Sequence, residues 1–176
     1  MTPSPHTDTP QDTLATRIGR LASVIGHTHY PAGDRAALRR WAPGQTPPLA
    51  FYRLWLRHLR DELPNESQTE AWMTLAWGLA VCGADSHDPK RPLGQALAES
   101  LFSEGRLEQL LSAPEGVRTH LFMRAVRFLA AKGERFDWCD AAQFLLTHDS
   151  DKRERIHRRI AATFYRHLPQ DTQAKE

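Results

Sequence analysis

Apolar residues recur at helical spacing along most of the chain, and the clearest case is 50–63, AFYRLWLRHLRDEL. Wound as an α-helix, this stretch gathers Phe51, Tyr52, Leu54, Trp55, Leu59 and Leu63 into one broad arc. It sets Arg53, Arg57 and Arg60 at i, i+4 and i+7 on the other side, with no acid among them. One face is expected to be buried and the other to present guanidinium groups. The pairing returns at 117–132, where Phe122, Val126 and Leu129, widened by Leu121, Ala125 and Phe128, oppose Arg124 and Arg127. It returns again toward the C-terminus, where Ile156, Ile160, Phe164 and Leu168 oppose Lys152, Arg155, Arg158, Arg159 and Arg166.

Between these stretches the pattern predicts further helices. Leu14, Ile18, Leu21 and Ile25 mark an amphipathic helix over 14–25, closed by the turn GHTHYPAG. Asp34 is the expected N-cap of DRAALRRW, on which Arg35 and Arg39 share a face. APGQTPP at 42–48 breaks the chain before 50–63. Ser67, with Glu70 three residues on, is the expected cap of 67–82. The run Trp72 to Val81 is apolar nearly all round and predicts a central buried helix.

A polar loop is expected at 83–92, then a short helix over 93–101. Ser103 is expected to cap a helix through Leu111, with Leu107, Leu110 and Leu111 inward and Arg106 at its start. Gly133 is expected to end 117–132, Asp137 to cap 137–146, and Ser150 or Asp151 to cap the last helix, which runs to about Leu168. There is no alternating strand pattern of useful length and no internal repeat. The expected class is all-α: a compact bundle of about eight to nine helices over 14–168. Its two lobes fall at roughly 14–84 and 93–168, flanked by a disordered tail at 1–13 and a frayed tail at 169–176.

Composition sharpens this picture chiefly through charge. The 176 residues carry a formal net charge of only +2, but it is unevenly spread. Six arginines and no acid lie between Arg35 and Arg60, whereas ten acids face Lys90, Arg91 and Arg106 between Asp61 and Glu115. Five basic residues oppose Glu134 from Gly116 to Phe136, and six oppose Glu154 from Lys152 to His167. Such blocks fold into a one-sided basic surface when they converge, and that favours a polyanionic partner. No apolar run approaches the roughly 18 residues of a membrane span, and MTPSPHTDTPQDT has no signal-peptide core. Cys82 and Cys139 sit in apolar or aromatic surroundings and are expected to be buried free thiols of a cytoplasmic protein.

Catalytic chemistry finds little support. Nine histidines occur without HExxH, CxxC or a carboxylate cluster at ligand spacing, so neither metal nor cofactor is expected. His148-Asp149 spells the HD pair of metal-dependent phosphohydrolases, with His120 and Asp151 as the nearby candidate ligands; that class is a rival reading. No serine nucleophile elbow or glycine-rich phosphate loop is present, so no catalytic residue is assigned. The arginines are the remaining signal. Only four lysines occur, and guanidinium forks suit phosphate oxygens. The Phe and Trp residues lie on apolar arcs, which predicts backbone binding without base stacking and little sequence preference. A stand-alone helical DNA-binding regulator is a second rival, and a pure protein-interaction scaffold a third.

The segments GDRAALRR (33–40), AFYRL (50–54), LGQALAES (93–100), SEGRLEQLL (103–111), a basic apolar helix leading to FDW (136–138), and DKRERIHRRIAATFY (151–165) appear in a telling order and spacing. Together they resemble the CasB family, the small subunit of Cascade, the type I-E CRISPR surveillance complex. The resemblance implies an all-α, non-catalytic protein. It further implies that a pair of copies sits against the backbone and large subunits and helps hold guide RNA and target DNA in the R-loop, with the displaced strand. By matching position it implies contacts from Arg39, Arg40, Arg53, Arg106, Arg127, Lys152, Arg153 and Arg155. The facial pattern independently adds Arg57, Arg124, Arg158 and Arg159. DELPNESQTE at 61–70 is acidic where members often carry basic residues, which points that segment toward a protein neighbour.

Overall fold

A computed structural model describes residues 12–169. Among the described residues the apolar periodicity resolves into nine α-helices: α1 (Leu14–Gly26), α2 (Ala32–Arg40), α3 (Leu49–Arg53), α4 (Glu66–Cys82), α5 (Leu93–Glu99), α6 (Glu104–Ser112), α7 (Glu115–Ala131), α8 (Trp138–Leu146) and α9 (Ser150–His167). The all-α expectation holds. The β pairing seen among these residues is one isolated bridge between His87 and Phe136. Of the expected tails, residues 1–11 and 170–176 lie outside the described residues. Within them, the Thr13 hydroxyl caps α1 by accepting from the Thr16 amide, and Asp12 pairs with Arg20 at 2.6 Å.

The centre is α4. Every residue from Trp72 to Ala80 is buried, as its unbroken apolar run requires. It packs against α1, α2, α7 and α8, within one continuous apolar cluster that reaches from Ile18 to Phe164. Gly78 lets the Trp138 ring of α8 approach the α4 backbone closely; a Cβ there would overlap the indole. Helices α5 and α9 approach closely, and Gly94 is the reason. A Cβ at Gly94 would run into the Ile160 carbonyl and the Thr163 hydroxyl, so only glycine permits this approach. The polar loop 83–92 is clamped to the FDW turn. The Asp88 amide donates to the Phe136 carbonyl at 3.0 Å, the Asp137 amide donates to the Arg91 carbonyl at 2.8 Å, and Arg91 grips Glu99 at 2.7 Å together with Glu134.

Four local expectations are corrected. The helix expected over 50–63 is α only to Arg53. Residues Leu54–Leu59 then wind as a π-helix, and Arg60 leaves it in the left-handed region at φ 53°. Leu54, Trp55 and Leu59 are all buried on this turn, so the wider i→i+5 winding keeps the apolar side of the segment in the core. The Arg20 guanidinium and the Asp61 amide hold the end, donating to the Leu59 and Trp55 carbonyls. Leu63 therefore lies outside the helix, 42% exposed.

Asp34 does not cap α2. The helix starts two residues earlier behind Pro31, and Asp34 turns inward to another partner. Asn65 rather than Ser67 precedes α4, without a side-chain cap. Asp149, accepting from the Lys152 amide at 2.9 Å, caps α9 in place of Ser150 or Asp151. The caps at Ser103 and Asp137 stand as expected, and Gly133, at φ 67°, follows α7. Cys82 and Cys139 are free but half-buried rather than fully buried; burial pushes each thiol up to about 12. Among the described residues no helix is long and apolar enough to cross a membrane.

Candidate nucleic-acid interface

The arginines separate into those that the fold uses internally and those that it leaves facing outward. Arg53 is of the first kind. Its Nη2 donates to Asp34 Oδ1 at 2.6 Å and its Nε to Oδ2 at 3.2 Å, a two-pronged grip on a carboxylate only 9% exposed. The Arg53 hydrogen bond holds the Asp34 carboxyl below its ordinary range, and Asp34 in turn raises Arg53. The row expected to be free of acids thus receives one from α2, nineteen residues earlier. Arg57, on the π-helical turn, remains exposed. Arg39 and Arg40 form the last turn of α2, both exposed.

Arg106 and Arg124 are brought together. Ser103 caps α6 and so sets Arg106 in its first turn, while the apolar stripe of α7 turns Arg124 outward. The two side chains line one cavity of about 230 Å³ between these helices, with Phe102, Gln109, Leu121 and Phe128 completing it. No acid lines it. Glu104 of α6 is drawn away, accepting from the Tyr165 hydroxyl at 3.0 Å. The floor is aromatic: Phe102 and Phe128 meet edge-to-face at 5.3 Å, and the Lys132 ammonium lies 5.1 Å over the Phe128 ring. The expectation that no aromatic accompanies the basic rows is therefore corrected. Phe128 lies on the apolar arc of α7, but α6 does not cover it fully. Arg127, three residues along α7 from Arg124, lies 5.1 Å over the Trp77 ring of α4.

On α9, Lys152, Arg155 and Arg158 are exposed along one side. Arg159 instead ties α9 to α8 through Asp140 at 3.0 Å and Gln143. Arg153 is half-buried and donates to the His148 carbonyl at 3.4 Å. Of the twelve candidates, then, two are held by buried acids, one is half-buried, two share the α6–α7 groove, and the rest stand exposed on α2, the π-helical turn, α7 and α9. Sequence reasoning missed Gln109, Phe102 and Phe128 as groove residues. Their spacing relative to Arg106 and Arg124 gave no signal, because the groove exists only once α6 packs on α7.

The HD pair is used structurally. Asp149 caps α9, and His148 Nδ1 lies 2.7 Å from Glu115 Oε1. Neither joins His120 and Asp151 in a ligand cluster among the described residues. The His, Cys and Asp side chains that do approach one another there are His87, Asp137 and Cys139, with ligand atoms within 4.8 Å. Their acceptors are already engaged in capping α8. His87 Nδ1 accepts from the Trp138 amide at 3.1 Å and Asp137 from the Cys139 amide at 2.9 Å.

Comparison with known proteins agrees with the fold. Residues 34–165 match the family model described as CRISPR-associated protein Cse2. The fold resembles a crystal structure of CasB from Thermus thermophilus at a TM-score of 0.68 and 25% identity, over 86% of this chain and 97% of that one. No curated protein matches the chain by sequence.

Proposed function

Because the chain belongs to the CRISPR-associated Cse2 (CasB) family of the type I-E Cascade complex, we propose that it holds opened nucleic-acid strands within that assembly by neutralising their phosphates. As a Cascade subunit it associates with other Cascade subunits; its role is non-catalytic. The observation that carries the reading is the α6–α7 groove, where Arg106 and Arg124 converge on an acid-free cavity. Two guanidinium forks lining one groove suit the phosphates of a strand, and the partly open Phe128 ring supplies an apolar floor.

Arg127 on α7, Lys152, Arg155 and Arg158 on α9, and Arg39, Arg40 and Arg57 on the N-terminal helices supply further contacts. Arg53 and Arg159 are assigned to folding instead. The strands in question are the guide RNA–target DNA duplex of the R-loop and the displaced strand. Contacts to backbone and large subunits and to a second copy belong to the same proposal, as does a division into two lobes at roughly 14–84 and 93–168. Exchange of one duplex for another in an R-loop is nearly balanced in base-pairing energy, so modest backbone contacts suffice to tip it.

The test is binding of the purified chain to single-stranded DNA of two unrelated sequences at several salt concentrations. With four to six phosphates engaged, log affinity falls with log salt at a slope of roughly −3 to −4. Both sequences should bind alike, and Arg106→Glu/Arg124→Glu should abolish most of the binding. Strong preference for one sequence, or full binding by the charge-reversed variant, would overturn the proposal.

A further inference from the structure

Phosphate oxygens need no recess. They are met as readily on an open helix side, where Lys152, Arg155 and Arg158 stand, as in a hollow. Arg106 and Arg124 nevertheless line a hollow of about 230 Å³. Apart from these two and Gln109, its lining is apolar: Phe102, Leu121 and Phe128. Its size lies below the roughly 300–1,000 Å³ of pockets that enclose a drug-sized ligand, and suits a single planar ring system. The backbone sets part of the floor. The chain reverses at Leu101, whose φ of 63° lies in the left-handed region, with Leu101 turned outward, 62% exposed, and Phe102 inward, 6% exposed. The Phe102 amide fixes the turn by donating to the Leu97 carbonyl at 3.0 Å.

The polar groups at this hollow are uncommitted. Arg106, Gln109 and Arg124 are exposed, and no ion pair or side-chain hydrogen bond engages any of them among the described residues. Of the α6 acids, Glu104 is held by Tyr165 and Glu108 does not line the hollow. The Lys132 ammonium over the Phe128 ring belongs to a long, exposed side chain, which can swing from the ring to a phosphate.

Aromatic rings and guanidinium planes are the side-chain groups on which an unpaired nucleobase stacks, and a carboxamide meets the base edge with both a donor and an acceptor. All three kinds line this hollow. We infer that it receives one unpaired base of the bound strand, packed against Phe128 and Leu121 and met at its edge by Gln109, while Arg106 and Arg124 take the flanking phosphates. This rests on the phosphate-neutralising reading and adds a base contact to it. A strand suits the site better than an apolar protein side chain. The base arrives with flanking anions for two guanidiniums that an apolar side chain would leave uncompensated. A base paired in a duplex cannot enter. Every base has a stacking face and the amide can rotate, so the contact is blind to sequence.

The purified full chain is titrated with oligothymidylate and with an abasic strand of the same length and phosphate number, which carries every charge and no base. Thymidylates stack little on one another, so the two strands differ chiefly in the groups available to enter. Oligothymidylate should bind about tenfold more tightly, with the same salt slope. Gln109→Ala, at an exposed position, should narrow that difference about threefold, and Phe128→Leu should abolish most of it. Equal binding of the two strands, salt-sensitive and lost in Arg106→Glu/Arg124→Glu, overturns the inference and leaves the phosphate reading standing. A difference that survives both Gln109→Ala and Phe128→Leu puts the base elsewhere and overturns it too. If neither strand binds, or the charge-reversed variant binds fully, the phosphate reading fails and the base contact falls with it.

Discussion

The 49–60 segment and the groove between α6 and α7 carry the same residue type under opposite conditions. In the first, sequence places three arginines on one stripe, yet Arg53 is clamped by Asp34 and the backbone rewinds as a π-helix before Arg60. In the second, Arg106 and Arg124 belong to different helices and Glu104 and Glu108 flank Arg106 in sequence, yet the packed groove is lined by no acid. A row of arginines on one helix is thus a weaker sign of a phosphate site than two guanidiniums delivered to one cavity by separate helices. Partnering is decided by whichever side chain tertiary packing brings alongside.

The largest effect should come from breaking the scaffold that both regions share. Gly94→Val forces a side chain into the Ile160 backbone of α9, where no flexible group can yield. Overpacking of this kind costs about 1–3 kcal/mol or more, and urea denaturation should show it together with loss of binding by the α9 row. Next, Arg106→Ala/Arg124→Ala should weaken binding to single-stranded DNA and reduce the salt slope by roughly 1 to 2, with an unchanged melting temperature. Arg53→Gln should do the reverse, lowering the melting temperature because Asp34 is left buried without its partner, while leaving the salt slope intact. A double-mutant cycle with Asp34→Asn should return a coupling between those two positions and none between Asp34 and Arg124.

The smallest effect is a difference in acid response between the two Asp–Arg pairs. Arg53 lowers the Asp34 pKa, so the stability from that pair is full above the unfolded carboxyl value of about 3.9 and is lost as pH falls through the lower folded value. Asp140 is raised, first by burial, against hydrogen bonds from the Leu93 amide and Arg159. Its folded form holds the proton more tightly, so its contribution falls as pH rises from about 3.9 through the folded value. Urea denaturation between about pH 3 and 7 should show Arg53→Gln flattening the acid loss and Asp140→Asn steepening it.

Much of the architecture was legible in the chain because it follows from local periodicity. The apolar run Trp72–Ala80 marks the buried centre, Ser103 and Asp137 start their helices, and the stripe Ile156–Ile160–Phe164 faces inward. The π winding was not legible. Leu54 and Leu59 fit the apolar arc of an α-helix loosely, and only the Arg20 side chain from α1 and the turn at Arg60 favour the other pitch. The outward arginines of α7 and α9 could be read from facial position, whereas the grips of Asp34 on Arg53 and Asp140 on Arg159 each span nineteen residues and leave no local trace. The family likeness located Arg106 but not its convergence with Arg124. Arg118 of α7, 3% exposed, escaped notice because an arginine within an amphipathic helix reads as exposed until its neighbours are in place.

The direct measurement is the salt dependence of target-DNA dissociation from assembled Cascade carrying the wild-type chain, Arg106→Ala/Arg124→Ala, or Arg53→Gln. The expected result is dissociation about tenfold faster and less salt-sensitive for the groove variant, with Arg53→Gln matching wild type. The contradictory result is a groove variant that behaves as wild type while Arg53→Gln releases the strand, which would return the binding role to the helical row and remove it from the groove.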